Sequence, residues 1–138
     1  MATDRRAEAT WNGSLMDGSG KIDSGVLAGE QLTWKARAGE GEGTSPEDLI
    51  AAAHAACFAM ALSHGLAQAG TPAEQVQTSA TVTFQPGEGI TRIALTVRGS
   101  GDFDEATFRQ AAETAKDSCP VSKALAGVPE ITLDAALA

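Results

Sequence analysis

The polar and apolar positions along the chain alternate in two registers. In the first third, "AEATWNGSL", "GKIDSGVL" and "QLTWKARA" read as three strands joined by short turns. In the third of these, Leu32, Trp34 and Ala36 alternate with Thr33, Lys35 and Arg37, which puts Arg37 on the polar face of a strand. The acidic stretch "GEGEGTS" follows as a solvated connector. A long helix then starts with Ser45 as N-cap, Pro46 at the first helical position and Asp48 at capping-box spacing. Glu47 and Asp48 suit the positive end of its dipole. Leu49, Ala53, Ala56, Met60 and Ala67 recur at three- and four-residue steps and predict its buried stripe, with Cys57 in or beside it. Gly70 and Pro72 signal its end.

Period-two alternation returns in "VQTSATVTFQ", where Val76, Thr78, Ala80, Val82 and Phe84 share a face. After the turn "PGEG", "ITRIALTVR" puts Ile93, Leu95 and Val97 on one face, so the two segments predict a hairpin with one buried side. A second helix is expected from about Asp104 to Asp117, with Phe108, Ala111, Ala112 and Ala115 inward. A short helix, "PVSKAL", and a closing strand, "EITLDAAL", complete the chain. The order predicts one α+β domain over residues 1–138 with a mostly antiparallel sheet.

Composition sharpens this picture. Of 138 residues, 43% are hydrophobic, enough for a core, but aromatics are only 4% and alanine supplies much of the apolar count. Small side chains bury little area each, which makes an oligomer plausible. The net charge of −8 argues against nucleic acid and anionic membranes as partners. "MATDRRAEATW" has no apolar stretch of the secretory kind, and the longest apolar runs are broken by His, Ser and Gly. The expected location is therefore the cytoplasm, where thiols are free and a disulfide is transient or catalytic.

The chain has two cysteines, Cys57 and Cys119, and no CxxC motif. Cys119 precedes Pro120, so it is expected at a helix N-cap, where N–H groups and the dipole lower a thiol pKa. Cys57 lies about ten residues into its helix, beyond the dipole's range, and apolar burial raises its pKa. A reactive Cys57 therefore needs a cation from elsewhere. Arg37 suits this role because its planar, permanently charged fork can hold a thiolate and a carboxylate together. The bland alternative is a buried small hydrophobe at Cys57 and a surface charge at Arg37. A zinc site built from His54, Cys57, His64 and Cys119 has just enough ligands but lacks paired short spacings, so His54 is read as a packing or hydrogen-bonding residue. Phe58, Met60, Leu49 and Ile50 are read as core, with a pocket for an apolar substrate tail as the alternative, and Trp11 and Trp34 as buried anchors.

"GTSPEDLIAAAHAACFAMALS" and "CPVSKAL" resemble the two signature segments of the OsmC/Ohr family, the osmotically inducible protein C and organic hydroperoxide resistance proteins. The likeness extends across nearly the whole chain, from the start that runs from Trp11 to "SGVL" to the closing "EITLDAAL", and "HAACF" and "CPVS" are closer to the OsmC branch. The resemblance implies an OsmC-like α+β fold with a long central helix, assembled as an intertwined homodimer with two active sites at the interface. It implies reduction of peroxides, organic hydroperoxides preferentially, with no metal or cofactor and with a lipoyl-type dithiol as reductant. By motif, Cys57 resembles the peroxidatic cysteine and Cys119 the resolving one, while Arg37 and Glu47 resemble the pair that supports the thiolate. The implied chemistry runs through a Cys57 sulfenic acid and a Cys57–Cys119 disulfide. A dimeric thiol sensor or binding protein on the same fold, reactive but without turnover, is the rival reading. Glu47 and Cys57 are ten positions apart on one helix, about 15 Å along its axis. One arginine can hardly bridge that gap, so Arg37 and Glu47 are expected to serve Cys57 of the other subunit.

Overall fold

The structure, a computed structural model, describes residues 2–138. The chain divides into two compact units, Met1–Leu49 and Ile50–Ala138. The first unit is an antiparallel meander of β1 (Ala7–Asn12), β2 (Ser19–Ser24) and β3 (Ala28–Leu32), followed by a single helical turn, α1 (Trp34–Arg37). Every residue of β1 is exposed in the single chain.

Two expectations for this unit are corrected. The third strand ends at Leu32, and Trp34–Arg37 is helical. Thr33 stops the strand: its backbone is still extended, but its hydroxyl accepts the Ala36 N–H at 3.1 Å and caps the turn. Over four residues, the alternation of Trp34, Lys35, Ala36 and Arg37 fits one helical turn as well as a strand. Trp11 is 39% exposed rather than buried, and its indole N–H donates to the Gly13 and Ser14 carbonyls. Trp34 is half-buried.

Helix α2 (Pro46–Gln68) begins where the sequence places it. The Ser45 Oγ accepts the Asp48 N–H at 3.1 Å and donates to the Asp48 carboxylate at 2.9 Å. It closes at Gly70, whose φ of 81° is left-handed, with the Thr71 N–H returning to the Leu66 carbonyl. The buried stripe differs from the expected one. His54, Phe58, Leu62 and Leu66 are fully buried, Cys57 is half-buried, and Ala53, Ala56, Ala67 and Met60, at 73%, are exposed. The helix is apolar on nearly every side, so periodicity could not choose its inward face. By length and hydropathy alone α2 could cross a membrane, against the expectation that its His, Ser and Gly exclude this. Its inward stripe is packed into a protein core instead.

The second unit also holds a long hairpin, β4 (Ala73–Gln85) with β5 (Gly89–Gly101), then α3 (Glu105–Ser118), α4 (Pro120–Ala124) and β6 (Glu130–Leu137). β4 and β5 pair antiparallel with Val82 opposite Ile93, Ala80 opposite Leu95 and Thr78 opposite Val97, as the alternation predicts. β6 lies parallel to β5, and α3 and α4 supply the crossover that a parallel pair requires. Asp104 caps α3 by accepting the Thr107 N–H at 2.8 Å. Ile93, Leu95 and Val97 meet Phe58, Leu62 and Leu66 of α2 and Phe108, Ala112 and Ala115 of α3 in one core, which also contains Cys119. The Thr78 hydroxyl ties β4 to the Ala55 carbonyl of α2 at 2.9 Å.

Candidate functional site

The four residues singled out by sequence fall into two pairs, one in each unit. In the first unit, Arg37 leaves the end of α1 and forms a two-pronged ion pair with Glu47. Nε donates to Oε1 and Nη2 to Oε2, both at 3.0 Å. Glu47 is only 7% exposed, and about a third of the Arg37 side chain reaches solvent. This fork-on-fork geometry fixes the guanidinium plane, which a lysine could not do.

In the second unit, α2 brings Cys57 against Cys119 at the junction of α3 and α4, and both are free thiols. Burial pushes the Cys57 thiol up, and its position as hydrogen-bond donor towards Cys119 adds to this; the Val121 N–H only partly opposes them. Cys119 goes the other way. Burial alone would raise it, but the Cys57 thiol, the N–H and hydroxyl of Ser122 and the N–H of Val121 together hold it below its ordinary value. Cys119 is the N-cap of α4, with Pro120 in the first turn, as expected. No strict cap hydrogen bond reaches its sulfur, so the preference for thiolate comes from several donors gathered around it rather than from one short bond. Within this unit the two neighbouring thiols are therefore pulled in opposite directions, Cys57 up and Cys119 down.

A second contact locks the same two segments together. His54 Nε2 lies 2.7 Å from Ser122 Oγ, both residues being buried, while His54 Nδ1 has no hydrogen-bond partner. Burial holds His54 below its ordinary pKa and so neutral. The reading of His54 as a hydrogen-bonding helix residue holds. Ser122 escaped notice: only its position three residues after Cys119 in "CPVS", matching His54 three before Cys57 in "HAAC", could have flagged it. Among the described residues, no three His, Cys, Asp or Glu side chains are gathered as a metal site. Phe58 is core, as expected, whereas Met60 is exposed and Leu49 and Ile50 are half-buried. An apolar groove of about 590 Å³ between α2 and α3 is lined by Ala61, Leu66, Ala111 and Ala115 among others, but by neither cysteine.

Residues 39–134 match the family described as OsmC-like protein, and that span covers both cysteines and the cap of α2. The chain belongs to the OsmC-like family. It is 39% identical over 140 residues to the peroxiredoxin OsmC of Escherichia coli K12, covering 97% of this chain and 96% of that one. It is 29% identical over 114 residues to the organic hydroperoxide resistance protein OhrB of Bacillus subtilis, covering 81% and 84%. Among solved structures, an organic hydroperoxide resistance protein OsmC from Legionella pneumophila superimposes with a TM-score of 0.73 at 26% identity, over 95% of this chain and 96% of that one. The B. subtilis OhrB structure does so with a TM-score of 0.67 at 28% identity, over 96% and 98%. The α+β architecture of this OsmC-like chain, with two sheets and a long helix, is therefore the fold that the sequence motifs implied.

Proposed function

We propose that this OsmC-like chain is a thiol-dependent peroxidase that reduces organic hydroperoxides through Cys57 and Cys119. The observation that carries the reading is the adjacency of the two thiols, which come from segments 62 positions apart and sit side by side with opposite pKa tendencies. The peroxiredoxin and organic hydroperoxide resistance names of its relatives point the same way.

The Cys57 thiolate attacks one peroxide oxygen, the O–O bond breaks, and the alkoxide leaves as the alcohol after taking a proton. Cys57 is then a sulfenic acid. The Cys119 thiolate attacks its sulfur, forms the disulfide and releases hydroxide, which becomes water. A dithiol, of the lipoyl type by family resemblance, reopens the disulfide and is itself oxidised. Arg37 lowers the Cys57 pKa and stabilises charge on the leaving oxygen, while Glu47 holds the guanidinium in place. Because burial and Cys119 both work against a Cys57 thiolate within one chain, we assign Arg37 and Glu47 to Cys57 of a second chain in a homodimer. The exposed apolar positions of α2 and the bare β1 strand support association. Residues 1–138 serve as one catalytic domain in this reading, and a cycle that starts from free thiols suits the reducing cytoplasm.

Thiol titration and intact mass after an equimolar dose of cumene hydroperoxide test the proposal. Loss of both thiols, with a mass about 2 Da lower within one chain, is the expected outcome. Two titratable thiols at unchanged mass would defeat it. Oxidation that no dithiol can reverse for a second turnover would favour the non-catalytic sensor.

A further inference from the structure

We propose that His54 and Ser122 are positioning residues: their buried contact clamps the segment that carries Cys119 onto the part of α2 that carries Cys57, so that oxidised Cys57 closes to the disulfide before a second peroxide reaches it. The inference rests on the peroxidase reading above and adds two residues to it. Two contacts join the same two segments. Cys57 meets Cys119, and His54 Nε2 lies 2.7 Å from Ser122 Oγ. His54 is three positions before Cys57 on α2, so both side chains lie on one face of that helix. Ser122 is three positions after Cys119, in the first turn of α4. Thiol meets thiol and ring meets hydroxyl one turn apart. Two points of contact fix the rotation of a segment that a single point leaves free to pivot.

The second contact carries weight because little else fixes the orientation of α4. That helix has only five residues, Pro120–Ala124, too few to hold their own shape in water. Val121 and Leu125 pack against the core, but apolar contact has no direction and lets a short segment slide. The hydrogen bond is directional and spans 68 positions of chain. His54 and Ser122 are both buried, so water does not compete for it. His54 Nδ1 has no hydrogen-bond partner, so the polar demand of the ring is met through Nε2. Loss of the Ser122 hydroxyl would leave a fully buried imidazole with neither nitrogen bonded, a cost relieved only by moving the ring or α4. The contact holds with the proton on either partner, since a ring nitrogen and a hydroxyl can each donate or accept.

Position decides the fate of oxidised Cys57. When the Cys119 sulfur attacks the Cys57 sulfenic acid, the S–S bond forms, the S–O bond breaks, and the departing hydroxyl takes the thiol proton and leaves as water. When the sulfenic sulfur instead attacks a second hydroperoxide, it gains one oxygen, the alcohol leaves, and the sulfinic acid that remains is not reduced by a dithiol. The first reaction is intramolecular, and its rate depends on how often Cys119 stands in line with the Cys57 sulfur. The second depends on peroxide concentration. Displacing a reacting group by about 1 Å can slow a reaction about 100-fold. The clamp therefore shifts the balance towards the disulfide. It acts through position alone and assigns no charge to either sulfur.

The test measures the equilibrium between the reduced chain and its Cys57–Cys119 disulfide in glutathione redox buffers, which gives the effective concentration of one thiol at the other. His54→Leu and Ser122→Ala should each lower it about tenfold, the size of one buried hydrogen bond. The double variant should fall no further than either single one, because both remove the same contact. His54→Gln, whose side-chain amide stands near the Nε2 position, should return it towards the parent. Leu66→Ala, in the core further along α2, should lower the urea midpoint and leave the effective concentration unmoved. Folded single variants within about twofold of the parent would overturn the clamp, as would an equal fall in Leu66→Ala. Hydrogen exchange of the natural reduced chain gives an answer that needs no variant to fold. The Lys123 N–H, bonded to the Cys119 carbonyl at 3.0 Å, should exchange about 100-fold or more slowly than in a free peptide, and exchange at the free-peptide rate would overturn the clamp. These readings use no peroxide, so a chain that passes them while cumene hydroperoxide oxidises neither thiol fails as a peroxidase and keeps the clamp. In a dose series of cumene hydroperoxide, the His54→Leu and Ser122→Ala chains should reach a given sulfinic fraction, read as a mass about 32 Da above the reduced chain, at about a tenth of the parent's dose. A dose dependence equal to the parent's would overturn the protective role.

Discussion

Glu47→Gln is the sharpest perturbation of the proposed chemistry, because it removes charge while preserving shape. In the structure, Arg37 Nε and Nη2 each donate to one Glu47 oxygen at 3.0 Å. Glutamine keeps one acceptor oxygen and turns an NH₂ group towards the second donor, so one charge-assisted bond is lost and two donors face each other. A hydrogen bond to a charged group contributes about 1.5–3 kcal/mol, and solvent reaching about a third of Arg37 reduces the cost to folding to about 1–2 kcal/mol. The chain should therefore remain folded, with a modestly lower urea midpoint. If the guanidinium is held for the transition state, losing an orienting bond of about 1.4–2.7 kcal/mol slows the reaction about 10- to 100-fold. Stopped-flow consumption of cumene hydroperoxide at saturating dithiol measures kcat/KM directly. Diamide should still drive the variant to the same Cys57–Cys119 disulfide, because that pair lies in the other unit. A folded Glu47→Gln chain with kcat/KM within about twofold of the parent would refute the role given to Arg37 and Glu47.

Three further outcomes follow from the same geometry. A mixed dimer of Cys57→Ser and Arg37→Ala chains should retain one working site if Arg37 acts across the interface, and none if it acts within its own chain; peroxidase turnover of the isolated heterodimer decides. Burial holds His54 below its ordinary value of 6.5, so the unfolded chain takes up the proton first. The stability from a neutral His54 is fully present above about pH 6.5 and is lost as pH falls towards the lower folded-state value. Urea midpoints at about pH 7.5 and about pH 5.5 should therefore differ more for the natural chain than for His54→Gln, and equal differences would contradict this. Gly99→Ala would push a methyl into the ring of the fully buried Phe108 and should cost about 1–3 kcal/mol in urea unfolding, whereas a neutral result would mean that the ring can move aside.

Much of the fold was legible because it rests on local rules. Ser45, Pro46 and Asp48 start α2, Gly70 ends it, and the strict alternation of β4 and β5 fixes which side chains face inward. The two cysteines, Arg37 and Glu47 were legible as a set only by resemblance to a family, since nothing local links residues from separate elements. The misreadings have physical causes. Four residues after Thr33 cannot distinguish a strand from one helical turn until the Thr33 hydroxyl is seen to cap it. α2 is apolar all round, so the face carrying His54, Phe58, Leu62 and Leu66 is selected by what packs against it and not by its own period.

Apart from the turn α1, the amino-acid order alone determined the sequence of elements, the ends of the long helix and the stock of thiols, because caps, glycines and alternation act over a few residues. Tertiary structure decided which face of α2 is buried, that Cys57 and Cys119 come together, and that His54 meets Ser122 across 68 positions. Those outcomes depend on burial and on hydrogen-bond partners brought in by distant segments, and no local stretch of chain encodes them.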